Sequence, residues 1–120
     1  MLDRFEDTES NLQARVDVGN SPPIESLVPL FFVFPEVRRV ILFGSRARED
    51  HEERSDIDLA VDAPGMDILK WDEVCTYITE NSNTLLPIDL IWLQRTTDQL
   101  ASRIQTEGVV VFERENESVG

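Results

Sequence analysis

At 120 residues and 41% hydrophobic content, the chain suits one domain with one core. Its 24 acidic against 11 basic residues leave a net charge of −13, which argues against nucleic acid and anionic membrane surfaces, both of which select Lys and Arg. The lone Cys75 excludes an internal disulfide and fits a reducing cytoplasm, and no apolar run approaches the length of a membrane helix. The acidity serves solubility, and it would also steer a basic protein partner toward the chain.

Residues 1–20 are polar and acid-rich. Leu2, Phe5, Leu12 and Val16 make a faint helical stripe, read as a frayed or loosely docked helix. The first residues lack the apolar region of a signal peptide. The break Gly19-Asn20-Ser21-Pro22-Pro23 sets off a folded domain expected over 21–112. Residues 113–120 read as a solvated tail.

Ile24 to Phe34 is predicted helical, with Pro29 as a kink or first turn and Pro35 as the stop. Val37 to Phe43 is a strand. Gly44-Ser45 is a turn leading into a short helix and a loop. A second strand carries Asp56 to Val61 and breaks at Ala63-Pro64-Gly65. From Met66 to Glu80, Ile68, Leu69, Trp71, Val74, Cys75 and Ile78 keep the spacing of an amphipathic helix. Ile88 to Leu93 is the third strand. Thr97 or Asp98 caps a last helix holding Leu100 and Ile104, and Gly108 ends it. Val109 to Phe112 closes the series. This order gives an α/β fold with one small mixed sheet flanked by helices.

The chemistry concentrates between Gly44 and Asp58. Asp56 and Asp58 are two apart on a strand, so both face one side. Adjacent carboxylates repel, and a divalent cation with hard oxygen ligands removes that repulsion. The Gly44-Ser45 turn offers backbone N–H groups at a helix start, which suits phosphate.

Gly44-Ser45, a ten-residue gap and Asp56-x-Asp58 resemble the nucleotidyltransferase superfamily of DNA polymerase β. The wording Phe43-Gly44-Ser45-Arg46-Ala47-Arg48 and Ser55-Asp56-Ile57-Asp58-Leu59-Ala60-Val61 looks most like the minimal nucleotidyltransferases (MNT), antitoxin partners of HEPN-domain toxins. The resemblance implies the nucleotidyltransferase fold and a third carboxylate on a neighbouring strand. Asp89, isolated in Pro87-Ile88-Asp89-Leu90-Ile91-Trp92, is that candidate. It implies Asp56, Asp58 and Asp89 as catalytic metal ligands for two Mg²⁺ ions with bound nucleotide. Gly44, Ser45, Arg46 and Arg48 are then the nucleotide-binding set. ATP is the implied substrate, and AMP passes to a hydroxyl, taken as tyrosine, on the HEPN toxin.

Other readings compete. Arg46 and Arg48 could instead pair with Glu49, Asp50 or Glu52 on a solvated face. His51 and Asp62 read as surface groups. Relatives usually carry Gly where this chain has Glu49, so the helix must end differently here. A non-catalytic toxin-binding module is one alternative function. A small-molecule transferase of the aminoglycoside type is another, in which self-pairing into a homo-oligomer would supply a missing pocket wall.

Overall fold

A computed structural model describes residues 14–16, 22–48 and 56–114. The strands are β1 (Ala14–Val16), β2 (Arg39–Phe43), β3 (Ile57–Asp62), β4 (Ile88–Trp92) and β5 (Val109–Arg114). They form one sheet in the order β1-β5-β2-β3-β4. Only β3 and β4 run parallel; the other pairings are antiparallel. A parallel pair needs a crossover, and here the crossover carries a helix. The helices are α1 (Pro22–Leu27), α2 (Ser45–Arg48), α3 (Ile68–Asn81) and α4 (Asp98–Glu107).

Strand alternation splits the interior into two cores. Val40, Leu42, Ile57, Leu59 and Val61 face α1, the 3₁₀ segment Val28–Val33 and α3, where Ile24, Phe31, Val74 and Ile78 are buried. Ile41 and Ala60 face the other way and meet Ile104 of α4 and Leu93. β5 shifts register against β2 between Val40 and Ile41. The shift is a bulge, and it lets consecutive Val111 and Phe112 both enter the larger core.

Several expectations are refined. The apolar run after Pro22 is α-helix only to Leu27; it then tightens into 3₁₀, with Pro29 in the first turn of that segment. In α3, Asp67 is the cap and accepts from Lys70 N–H at 2.8 Å. Ile68 and Leu69 do not join the core; they stand 57% and 80% exposed on the first turn. The buried stripe is Val74 and Ile78, with Trp71 and Tyr77 beside it. Cys75 is only half-buried. Burial, then the charge of Asp72, pushes its thiol upward, which makes it a poor nucleophile.

Thr97 caps α4 by accepting from Leu100 N–H at 3.2 Å. Gly108 ends α4, but at φ −79 rather than in the left-handed region. Its glycine is needed for space: a Cβ there would overlap Ile41 Cγ2. β5 runs two residues beyond Phe112 to Arg114, into the segment read as tail. Arg114 donates to the carbonyls of Val37, Phe32 and Phe34 at 3.0–3.1 Å and lies over the rings of Phe32 and Phe112. At the other end of the chain, Ala14–Val16 is a strand on β5, where a helical stripe was expected through Val16. The rest of that stripe, Leu2, Phe5 and Leu12, lies outside the described residues.

Candidate active site

The site forms where β2 ends. Phe43 is opposite Asp58 on β3, and Asp58 is opposite Asp89 on β4. Residues opposite one another in a sheet share a face, so the two carboxylates stand side by side. Their face is the one that α4 covers further along the strands, since Ala60 shares it with Asp58. Asp56 precedes β3 by one residue and is exposed, as is Asp89; Asp58 is half-buried.

Asp58 records the crowding. Its carboxyl is held above the usual range of about 3.8, first by burial, then by the charge of Asp89, then by that of Asp56. Carboxylate charge crowded around Asp58 is costly to a fold, and a bound cation relieves it. Among the described residues no three donors already close into a cation cage. The cluster is instead an open set of hard oxygens, which suits a magnesium ion whose remaining ligands come from phosphate and water.

Gly44 makes the close approach possible. It lies at φ +77, the left-handed region, where glycine has no steric cost. A Cβ at this position would overlap Asp58 Oδ2 and stand 3.3 Å from its Cγ. The turn backbone is thus pressed against the carboxylate. α2 starts at Ser45, and Ala47 N–H closes its first turn on Gly44 C=O at 3.1 Å. Gly44, Ser45, Asp58 and Asp89 are therefore gathered at one end of β2, β3 and β4, with Asp56 beside them.

Arg46 is not a solvated group on the outer face of α2. It is 7% exposed, the one buried charged residue among those described. The short helix packs on β2 and its neighbour Ala47 on the larger core, which carries Arg46 inward. Arg48 belongs to α2 by its backbone. The Arg48 side chain, Glu49 and His51 lie outside the described residues.

Asp62 is not solvated as expected. Arg39 Nε donates to Asp62 Oδ2 at 2.8 Å, and Gln94 Nε2 donates to Asp62 Oδ1 at 2.6 Å. Gln94 Oε1 in turn accepts from Ala63 N–H at 2.9 Å. Arg39 and Asp62 are directly opposite in register, a pairing that appears only once the β2–β3 register is known. This polar clasp ties β2, β3 and the turn after β4 together at the end of the sheet away from Asp58.

The polymerase beta nucleotidyltransferase model matches residues 25–117. The chain belongs to that family. The likeness to the DNA polymerase β superfamily read from Gly44-Ser45 and Asp56-x-Asp58 is thereby borne out. No curated protein matches the chain. Among solved structures, the nucleotidyltransferase fold recurs in a chain of a toxin–antitoxin crystallised with AMP-PNP, at TM-score 0.60 and 24% identity over 72% of this chain and 70% of that one. It recurs in the MntA–HepT toxin–antitoxin at TM-score 0.54 and 22% identity, over 72% and 67%. A third match is the tri-AMPylated Shewanella oneidensis HEPN toxin in complex with MNT antitoxin, at TM-score 0.54 and 22% identity, over 72% and 66%.

Proposed function

We propose that this nucleotidyltransferase is an MNT antitoxin that moves AMP from ATP to a tyrosine hydroxyl of a HEPN toxin and so neutralises it. The observation that carries the reading is the opposition of Asp58 and Asp89 beside a glycine turn that touches Asp58. The solved complexes of the same fold, one with AMP-PNP and one with an AMPylated toxin, support the choice of nucleotide and acceptor.

In the reaction, the acceptor oxygen forms a bond to the α-phosphorus and the bond from that phosphorus to the bridging oxygen breaks. Pyrophosphate leaves with its pair of electrons. Asp89, exposed at the edge of the cluster, takes the acceptor proton as the oxygen attacks. Gly44 lets the backbone approach the triphosphate, and Ser45 offers its hydroxyl and N–H to it. Asp56, Asp58 and Asp89 would hold magnesium, which supplies charge neutralisation at the phosphates when bound.

ATP labelled at the α-phosphate, incubated with the chain, Mg²⁺ and a co-expressed HEPN partner, tests this. The partner should become labelled, and ATP labelled at the γ-phosphate should leave it unlabelled. Label transferred from the γ-position would make the chain a kinase and end the proposal.

A further inference from the structure

β4 is an open edge of the sheet among the described residues, for it pairs with β3 alone. Its sequence, Ile88-Asp89-Leu90-Ile91-Trp92, has no Lys, Arg or Pro within it, and Asp89 is its one charge. Ile88, Leu90 and Ile91 are only half-buried. That one charge is the third carboxylate of the site, so a segment that pairs here must suit it.

The ladder fixes which main-chain groups are open. Ile57 N–H donates to Pro87 C=O at 2.9 Å, so Pro87 turns its carbonyl toward β3. In a parallel pair the direction alternates, so Asp89 and Ile91 also turn theirs inward. Ile88 and Leu90 then present N–H and C=O outward. On the far side of β3 the same parity holds, since Asp62 C=O accepts from Arg38 N–H on the β2 side.

The geometry points to this edge as the docking rail for the acceptor: an extended, basic segment pairs with Ile88 and Leu90 and sets its hydroxyl-bearing residue opposite Asp89. This rests on the reading of a protein acceptor. Paired strands lie roughly 4.8 Å apart, and residues opposite each other share a face. Whichever way the segment runs, the residue opposite Asp89 therefore points to the carboxylate side. Its two neighbours point to the other side, beside Ile88 and Leu90, and should be apolar or β-branched. The charge of the segment follows from the chain: its net charge of −13 far exceeds the three carboxylates that magnesium would take up, and favours a basic partner. The same charge disfavours a second copy of this chain as the occupant.

The test uses the full chain and a short peptide with a tyrosine between two valines and arginines at its ends. Hydrogen exchange of the Ile88 and Leu90 amides should slow about tenfold at a peptide concentration ten times its Kd. Asp89 and Ile91 amides, already bonded to β3, should change little. The same peptide N-methylated at its central amides should give no slowing, and added salt should weaken the effect. Equal slowing by both peptides, or none by either, overturns the rail. Slow exchange without peptide that deepens with chain concentration would make a second copy the occupant and also overturn it. Mg-ATP binding, measured on the same sample, separates the two readings: pairing without nucleotide binding sinks the transferase, leaving β4 a peptide-binding edge with no acceptor role, and nucleotide binding without pairing sinks the rail and leaves the transferase.

Discussion

Asp58 is where the fold's interest and the reaction's interest part. Its raised carboxyl means that folding favours the protonated form. That contribution to stability is full below its unfolded value near 3.8 and is lost as pH rises through the higher folded value. At neutral pH the ionised cluster therefore destabilises the chain. Asp58→Asn should stabilise the metal-free protein at pH 7, by under about 1 kcal/mol because the group is partly solvated, and so raise its melting temperature. The gain should shrink as the pH is lowered toward 4. The same variant should lose Mg-ATP binding by calorimetry. A variant that is less stable at pH 7, or that binds Mg-ATP as well as wild type, contradicts the assignment.

Gly44 is a second residue-scale test. Any side chain there meets both a left-handed backbone and the Asp58 carboxylate. Gly44→Ala should cost about 1–3 kcal/mol in chemical denaturation and abolish transfer. Ser45→Ala should leave the unfolding free energy within about 0.5 kcal/mol of wild type and weaken nucleotide binding. Full activity in Gly44→Ala would mean that the turn does not hold the triphosphate.

Among the elements, α4 and β4 show what a sequence states and what it withholds. The N-cap of α4 is local chemistry, which is why the sequence narrowed it to Thr97 or Asp98; the structure selects Thr97. Thr97→Ala should cost about 1 kcal/mol, read by urea denaturation. Gly108→Ala should cost more than Thr97→Ala, because the added methyl meets Ile41 across the sheet. That contact, and not a left-handed turn, is what glycine serves there, and nothing near Gly108 in the sequence announces Ile41. The same limit explains Asp62. Its partner Arg39 is opposite in register and Gln94 comes from beyond β4, so only the folded sheet joins them. Ile68 and Leu69 matched the helical period, yet they sit on the first turn of α3, before the helix reaches the core.

At the scale of the whole molecule, the strand and helix order from β2 onward and the mixed sheet were legible because period-2 and period-3.6 patterns alternate along the chain, whereas β1 lay in a stretch whose faint stripe suggested a helix. The placement of Asp89 beside Asp58 was legible only through the family likeness, since the spacing of 31 positions is set by a crossover helix. The burial of Arg46 was not legible: a short helix carries too few residues to show which face is inner. The net charge of −13 leaves the direction of association open to a direct test. Binding of a basic HEPN partner should weaken as salt rises from 0.05 to 0.5 M, as judged by titration. Salt-independent binding would remove electrostatic steering from the account.

On the proposed function, protection of the cell is covalent and runs through Asp89. The most direct measurement is the intact mass of the HEPN partner co-expressed with Asp89→Asn, read beside growth rescue of the same cells. The account predicts an unmodified partner, lost rescue and retained Mg-ATP binding, with wild type giving an AMP-modified partner and full growth. A partner modified to the wild-type level by Asp89→Asn would contradict the account, and so would full rescue by Asp89→Asn with no modification of the partner.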